Sequence, residues 1–400
     1  MKHNWEHKRL KDVCYPKSSI GRASSIYSKD DIIEYIDISS INKDINEIAF
    51  NTPYCFGDAP SRAQQCVKYF DVVVSLVRPN LKNIAIVKDD RDNLVASSGF
   101  CVLRGKTILP KLIFYIVNSQ NFTDALIAKC AGAAYPAVKD DDVKNSIIPV
   151  PPMAVQEQIV AELDKINEVI ADCRELLRNL DALAQSLFYD TFGDIYLNPK
   201  NWKISTLGDV SEKISNGANT KIDLDTYKSE GIMFFRCQNV WRNHFDLSDV
   251  VYVNEETNSK MKGSVLKHND LLVTKIGRLF TENSSLGRVA LYEGEDGKAN
   301  LSGNLSFIRL KPTVVPKFIL YILISDYFRD YVRNTTSGGI DKRALNNSQL
   351  KALPIYIPPL AIQNQFAAQV ERIEEQKKAV EITIAELQTL LDSRMDYWFN

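Results

Sequence analysis

Near the middle of the chain stands VPPMAVQEQIVAELDKI (Val150–Ile166), and near its end stands IPPLAIQNQFAAQVERI (Ile357–Ile373). The two Pro-Pro pairs begin at residues 151 and 358, an offset of 207 residues that also holds through the helical patterns that follow. Proline suits the first turn of a helix, where its missing N–H would have no partner, so each pair predicts a helix that starts near Ala154 or Ala361. A chain that repeats this pattern in register is expected to consist of two similar units.

Each predicted helix carries apolar residues at alternating steps of four and three. Held over about four heptads, this spacing is that of a coiled-coil seam. The alternative is a long amphipathic helix that lies on its own domain, but neither segment contains Gly or Pro, and each of the two matching seams needs an apolar partner. We therefore predict that the helices pack together, with Lys377 and Arg394 as polar departures from a seam formed by Ile159, Leu163, Ile166, Ile170, Leu177, Leu180, Phe366, Val370, Ile373, Val380, Ile384 and Leu387.

The repeat extends into the bodies, which are the segments that precede the helices. The clearest match is between PKLIFYIVNSQNF (Pro110–Phe122) and PKFILYILISDYF (Pro316–Phe328). A helix is predicted at about 112–118 and its copy at about 318–324, each followed by a polar loop and by a return strand at about 147–150 or 352–357. Short β-rich runs separated by Asn, Gly, Asp and Ser turns complete each body. These runs are Ile32–Ile38, Val72–Val77, Ile84–Val87, Gly231–Arg236, Leu271–Ile276 and Val289–Tyr292.

The predicted fold is therefore mixed α/β, with two similar domains separated by two long helices. The bodies lack the regular strand-helix-strand rhythm of a dinucleotide-binding sheet. Two copies of one unit imply a pseudo-twofold axis, and helices that pack together under such an axis would form an antiparallel coiled coil. The expected order is a first body at 1–152, a first helix at 153–193, a second body at 194–359 and a second helix at 360–400.

Composition narrows the class of protein. The 400 residues, of which 45% are hydrophobic, suffice for at least two cores. The seven Cys are scattered without a CxxC pair and are accompanied by four His, so neither a metal site nor a secreted disulfide framework is expected. The N-terminal segment is charged, and no apolar run approaches the roughly 20 residues of a membrane span. We expect a cytoplasmic protein that does not contact a membrane.

The net charge of −1 is unevenly distributed along the chain. Residues 1–153 carry +3 and residues 191–359 carry +4, whereas the helical segments 154–190 and 360–400 carry −5 and −3. A surface that faces a polyanion would therefore belong to the bodies, although neutral enzymes also show an excess of this size.

This layout resembles the specificity subunit of type I restriction-modification systems. The resemblance covers essentially the whole chain, and three phrases carry it. The first is Ile148-Pro149-Val150-Pro151-Pro152 with Gln156 and Gln158, the second is Pro354-Ile355-Tyr356-Ile357-Pro358-Pro359 with Gln363 and Gln365, and the third is LFYDTFGD at residues 187–194.

The resemblance implies a non-catalytic chain whose two target-recognition domains each read one half of a bipartite, asymmetric double-stranded DNA site. The helices would set the gap between the halves and dock two methyltransferase subunits, and restriction/translocase subunits would join that core. S-adenosylmethionine, ATP and Mg would be bound by these partner subunits and not by this chain.

Candidate DNA contacts must come from residue chemistry, because the family has no fixed motif of base-reading residues. Base edges are read by Arg, Lys, Asn and Gln, whereas Ser, Thr and backbone N–H groups bind phosphates. Loops of this composition occur at 16–22 and 131–142 in the first body, and at 215–221, 236–243 and 337–347 in the second. For each residue the alternative is an ordinary solvated loop position. The candidates are Lys17, Arg22, Tyr135, Lys139, Asn216, Asn219, Lys221, Gln238, Asn239, Lys342 and Arg343.

Other functions find less support in the sequence. NTPY (Asn51–Tyr54) resembles the corner with which adenine methyltransferases hold a flipped base, but it lacks the proline at the second position and no cofactor loop precedes it. The chain contains neither a Pro-Asp dipeptide, as a metal-dependent nuclease of the PD-(D/E)xK type would need, nor a GxxxxGK[ST] phosphate loop. The alternative that stays open is a two-headed adaptor that spaces protein partners without binding DNA.

Overall fold

The computed structural model describes residues 5–43, 45–50, 52–130, 136–218, 227–279, 284–336, 338–339 and 342–399. The chain divides into two compact units. Unit 1 consists of Met1–Glu175 and Val380–Asn400, and unit 2 consists of Leu176–Ala379. The structure thus divides the chain inside the two long helices and not at their starts, so that each unit contains one body and part of each helix.

Unit 1 is built on two main sheets that share a strand-rich core. Its strands are β1 (Glu6–Arg9), β2 (Gly21–Arg22), β3 (Ile32–Ile36), β4 (Ile41–Asn42), β5 (Glu47–Ile48), β6 (Tyr54–Cys55), β7 (Ala63–Cys66), β8 (Val72–Ser75), β9 (Ile84–Ile86), β10 (Leu94–Ser97), β11 (Phe100–Leu103) and β12 (Ile147–Val150). Its helices are α1 (Leu10–Val13), α2 (Pro110–Asn118), α3 (Gln120–Ile127), α4 (Asp140–Lys144) and the first part of α5 (Met153–Phe192). The sheets have the orders β2-β7-β10-β3-β6 and β11-β8-β9.

Unit 2 repeats this plan with somewhat different strand lengths. Its strands are β13 (Lys203–Thr206), β14 (Ser211–Asn216), β15 (Ile232–Phe235), β16 (Val251–Val253), β17 (Leu271–Thr274), β18 (Ile276–Gly277), β19 (Val289–Leu291), β20 (Ala299–Leu301), β21 (Leu305–Leu310), β22 (Arg343–Ala344) and β23 (Pro354–Ile357). Its helices are the last part of α5, α6 (Glu255–Ser259), α7 (Pro316–Leu323), α8 (Asp326–Thr335), α9 (Asn347–Ala352) and the first part of α10 (Leu360–Phe399), whose last part belongs to unit 1. The main sheets have the orders β14-β21-β17-β19 and β16-β15-β20.

The strand pairings of the two units correspond. The first strand pairs antiparallel with the return strand in both, as β1 with β12 and as β13 with β23. A parallel pair follows, β3 with β10 and β15 with β20. The buried strands β8 and β17 each lie between two antiparallel neighbours. The mixed α/β fold predicted from the repeat is confirmed within each unit.

The central strands β8 and β17 are continuous apolar runs because both of their faces are covered. In unit 1, Val72 and Val74 face the core that includes α2, whereas Val73 faces a second core. In unit 2, Leu271 and Leu272 are divided between two cores in the same way. These runs place two hydrophobic layers around one sheet in each body.

The long helices α5 and α10 begin one residue before the starts that the Pro-Pro pairs predict. All twelve predicted seam residues are buried or half-buried. In unit 1, Ile159 and Leu163 of α5 share a core with Leu391 and Met395 of α10. The side chain of Glu162 accepts hydrogen bonds from Arg394 and, at 3.1 Å, from Trp398.

Within unit 2 the two helices pack through aromatic rings. The ring of Phe366 lies 5.6 Å from Phe188 and 5.2 Å from Phe192 between centroids. Farther along α10, the Lys377 ammonium forms an ion pair with Asp181 of α5. The predicted polar departures in the seam are therefore both paired with carboxylates of the other helix.

Helices α3 and α8, which follow α2 and α7 directly, were not predicted from the sequence. Ser119 ends α2 by donating to the Ile116 carbonyl at 2.6 Å and caps α3 by accepting from the Phe122 N–H at 3.4 Å. Ser325 in unit 2 likewise donates to the Ile322 carbonyl at 2.7 Å. In α8 the buried residues Phe328 and Val332 lie one turn apart, so the helix buries one narrow face and is otherwise polar.

Neither a membrane span nor a metal cluster is found in the described parts of the chain. No helix there combines the length and the apolar composition needed to cross a bilayer. The same residues contain no group of three or more His, Cys, Asp or Glu side chains that could hold a metal ion. All seven cysteines are free thiols.

Candidate nucleic-acid interface

A polar groove of about 850 Å³ opens on the surface of unit 1. The one-turn helix Lys17–Ser19 and strand β2 supply Lys17 and Arg22, and strand β7 supplies Gln64 and Gln65. Hydroxyl groups of several serines line the rest of the groove. Cationic, amide and hydroxyl side chains are the groups that contact phosphates and base edges.

The groove has an acid at its edge, Asp140. Its carboxylate is 2.8 Å from the Lys144 ammonium and 3.5 Å from that of Lys17. Partial burial opposes ionisation, but hydrogen bonds from Lys144 and Cys101 outweigh it and lower the pKa of Asp140. Lys17 nevertheless exposes 66% of its side chain, so its ammonium stays open to a ligand.

The amides of β7 are held differently from the cations. Gln65 Nε2 donates to the carbonyls of Ser97 and Phe100, both at 2.9 Å, and Gln64 Nε2 donates to the Ser61 carbonyl at 2.9 Å. Strand β2 pairs with β7, which places Arg22 beside these glutamines. The side chain of Arg22 is exposed. Unit 1 therefore brings Lys17 and Arg22 together.

The other two candidate DNA contacts of the first body are Lys139 and Tyr135. Lys139 is exposed and precedes α4, and its backbone N–H donates to the Asp142 carboxylate at 2.8 Å. Lys139 does not line the groove, although the adjacent Asp140 does. Tyr135 lies outside the described residues.

In unit 2, Asn216 belongs to a polar cluster at the end of β14. Its Oδ1 accepts from Lys275 Nζ at 2.6 Å and from Ser306 Oγ at 3.3 Å. Desolvation lowers the pKa of Lys275, which is half-buried behind Asn216. The amide NH₂ of Asn216 and the Lys275 ammonium are the donors that this cluster could present to a ligand.

The pair Gln238 and Asn239 follows β15 and is split between surface and core. Gln238 is exposed, and its Nε2 donates to Asp249 at 3.1 Å. Asn239 is 0% exposed, and its amide donates to the Asp246 carbonyl and to Asp249 Oδ1. Its Oδ1 also accepts from the Arg236 N–H at 2.9 Å. The predicted role of Asn239 in contacting DNA must therefore be corrected, because a fully engaged, buried amide holds its loop and is not presented to a base.

The last two candidates of the second body sit next to each other on and before β22. Arg343 is half-buried and pairs with Gly277 of β18. Its guanidinium donates to the carbonyls of Arg333 and Thr336, both at 3.2 Å. Lys342 is exposed. Asn219 and Lys221 lie outside the described residues.

Both bodies are similar to one known protein domain. The type I restriction modification DNA specificity domain matches the chain twice, at residues 2–175 and at residues 199–388. Together the two matches span most of the chain.

The chain belongs to this family.

Curated members of the specificity family are distant in sequence. The chain is 26% identical over 156 residues to the type I restriction enzyme HindI specificity subunit of Haemophilus influenzae, which covers 38% of this chain and 34% of that protein. It is 21% identical over 284 residues to the EcoBI specificity subunit of Escherichia coli, covering 65% of this chain and 58% of that protein. The chain thus matches about a third to just over half of the length of these curated relatives.

A solved structure agrees with this chain over nearly its whole length. It belongs to a study of complex assembly and conformational transition of a type I restriction-modification system, and it is 26% identical to this chain with a TM-score of 0.56. The similarity covers 98% of this chain and 96% of that one.

The specificity-domain matches contain both the groove of unit 1 and the Asn216 cluster of unit 2. Sequence reasoning missed Gln64 and Gln65 of the groove, because nothing in the local sequence shows which strand borders Arg22. It also missed a group of arginines in unit 2, Arg242, Arg288 and Arg329, that come from separate segments. Only Arg242 had a local signal, the Trp-Arg pair inside the quoted loop 236–243.

Proposed function

We propose that this chain is the specificity subunit of a type I restriction-modification complex, in which each body reads one half of a bipartite, asymmetric DNA site. The observation that carries this proposal is the double match to a DNA specificity domain, one copy for each body. A chain with two separate recognition domains suits a target with two separate halves. The polar groove of unit 1 and the Asn216 cluster of unit 2 supply the side chains that such contacts require.

The two long helices are proposed to form an antiparallel coiled coil that sets the gap between the half-sites. The contacts inside each unit support this arrangement. Glu162 meets Arg394 in unit 1, and Asp181 meets Lys377 in unit 2. Residue numbers therefore rise along α5 as they fall along α10, and the packed residues follow a heptad pattern.

Partner subunits would supply the chemistry. We propose that two methyltransferase subunits dock on this chain and that restriction/translocase subunits join the complex. S-adenosylmethionine, ATP and Mg would then be bound by those partners, and this chain would direct them without catalysing a reaction itself. A complex of this kind would work in the cytoplasm, where free thiols are stable.

The test is to co-express this chain with its methyltransferase subunit in an unmethylated host and to map modified bases across the genome by single-molecule sequencing. A bipartite motif with a fixed gap, absent when this chain is omitted, is the expected result. A stable and active complex without any motif would instead favour the adaptor function.

A further inference from the structure

A second pocket, in unit 2, is walled by arginines and a tryptophan. Its volume is about 230 Å³, which is room for several waters at about 30 Å³ each. Three segments build it. The loop after β15 supplies Trp241 and Arg242, the loop before β19 supplies Arg288, and helix α8 supplies Arg329.

One wall of the pocket is a stacked pair. The Arg288 guanidinium lies 3.8 Å from the centroid of the Trp241 ring, and Arg288 Nε donates to the Ser284 carbonyl at 3.0 Å. Gly287, with φ at +74°, turns the chain just before Arg288, and its N–H donates to the Thr274 carbonyl at 3.0 Å. A guanidinium held over an indole and fixed by a hydrogen bond loses little freedom when a ligand arrives.

The other arginines bring two positive charges to the same space. Desolvation inside the pocket and, after it, the charge of Arg329 lower the pKa of Arg242. Asp326, in the first turn of α8, partly offsets this repulsion. The next acid of that helix, Asp330, forms an ion pair with Arg333 at 2.6 Å. Among the described residues of unit 2, the carboxylates that form ion pairs do so with cations other than Arg242 and Arg329. Two like charges in one pocket favour an anion between them.

We propose that Arg242 and Arg329 together bind one backbone phosphate of duplex DNA. This inference rests on the proposed function and names a contact for it. Guanidinium groups match the oxygens of a phosphodiester, and phosphate contacts fix the register of a protein on the duplex. Arg242 stands four residues after Gln238, so a phosphate held here would position the loop that presents the Gln238 amide.

The experiment measures binding of a fluorescent duplex to the full chain, co-purified with its methyltransferase subunit, over a range of salt concentrations. The variants are Arg242→Gln, Arg329→Gln and the double substitution. Each single variant is expected to weaken binding about tenfold. Because one phosphate is shared, the double variant should reduce the slope of log K against log salt by about one unit, and not by two. The methylation motif should stay unchanged, since a phosphate carries no sequence information.

Arg333→Gln is the matched control, because Arg333 lies one turn further along α8 outside the pocket and is exposed. It should change affinity less than twofold. An equal loss in Arg333→Gln, an unchanged salt slope in the double variant, or a slope reduced by two would each overturn the shared phosphate site.

A second measurement separates DNA phosphate from a small anion. Inorganic phosphate is titrated into the complex, and the fluorescence change that depends on Trp241 is identified with Trp241→Phe. If low concentrations of phosphate saturate this change while the salt slope of duplex binding is the same in wild type and double variant, the pocket holds a free anion. That result would contradict the inference. If the wild-type complex shows no sequence-selective binding at all, the proposed function fails first.

Discussion

At the scale of single residues, the first glutamine after each Pro-Pro pair has the same structural role in both units. Gln156 and Gln363 are 2% and 0% exposed. Gln363 Oε1 accepts from the Val315 N–H at 2.9 Å, and its Nε2 donates to the Pro358 carbonyl at 2.8 Å. Gln156 makes the same two contacts in unit 1, with Leu109 and Pro151, both at 2.9 Å. Since Leu109 and Val315 are the caps of α2 and α7, this amide ties the start of the long helix to the start of a body helix.

Replacing Gln363 by Leu should therefore destabilise unit 2. The substitution leaves a buried N–H and a buried carbonyl without partners, at a cost of about 1–3 kcal/mol. The measurement is the urea concentration at the midpoint of unfolding, followed by tryptophan fluorescence. Gln365→Leu is the control, because Gln365 is exposed on the same helix two residues later. Equal midpoints for the two variants would show that the buried amide contributes nothing.

Single residues also show what a sequence can predict about a site. The Pro-Pro-x-x-x-Gln phrase was recognisable because its residues contact one another within a short stretch of sequence, with each Gln donating to the carbonyl of a Pro five residues earlier. The groove residues Lys17 and Arg22 were within reach because both lie in one polar loop. Arg242 and Arg329 were not, since they meet only after β15 and α8 have been placed by the core. Asn239 failed as a candidate for the opposite reason, because composition cannot distinguish a buried amide from an exposed one.

At the scale of helices and strands, the spacing of apolar residues predicted those elements whose buried positions recur regularly. In unit 1, the apolar positions of the first part of α5 and of strand β8 match the burial of Ile159, Leu163, Val72 and Val74 in one core. Helix α8 carries the same kind of signal, because its buried residues Phe328 and Val332 lie one turn apart, but its polar composition concealed it.

At position 377 the apolar pattern of the helix favours a residue such as Ile, whereas the ion pair with Asp181 requires Lys. Its side chain is 23% exposed, and that of its partner Asp181 is 60% exposed. An ion pair this open to water contributes about 0–1 kcal/mol, whereas an apolar side chain at a seam position buries area against the other helix. Lys377→Ile should therefore stabilise unit 2 by about 1 kcal/mol.

The unfolding midpoint checks this, with Lys378→Ile as control because the adjacent Lys378 is exposed. A loss of stability in Lys377→Ile would mean that the ion pair outweighs packing. Normal stability combined with lost assembly with the methyltransferase would mark Lys377 as a contact with that partner.

At the scale of the whole molecule, the two helices run from one unit into the other. Inserting seven residues in register after Glu175 and after Ala379, where the units divide, lengthens both helices by about 10 Å. If the helices set the gap, the mapped motif should gain about three base pairs of spacer at ~3.4 Å each. Methylome mapping of the variant gives the answer. An insertion in only one helix breaks the seam register and should abolish methylation, whereas an unchanged gap with both insertions would show that the helices do not act as a spacer.

The body itself should be exchangeable, and the structure shows which boundaries preserve the contacts of unit 1. The ring of Trp5 stacks on Trp398 of α10 at 6.0 Å, and Trp398 donates to Glu162 of α5. Exchanging residues 1–150 alone for the body of another family member removes Trp5 and exposes part of this contact. Exchanging Met1–Glu175 together with Val380–Asn400 keeps the contacts of unit 1 within one parent protein. Both chimaeras should change one half of the methylated motif and keep the other, and the second should unfold at the higher temperature. A motif altered in both halves would show that the two bodies do not read DNA independently.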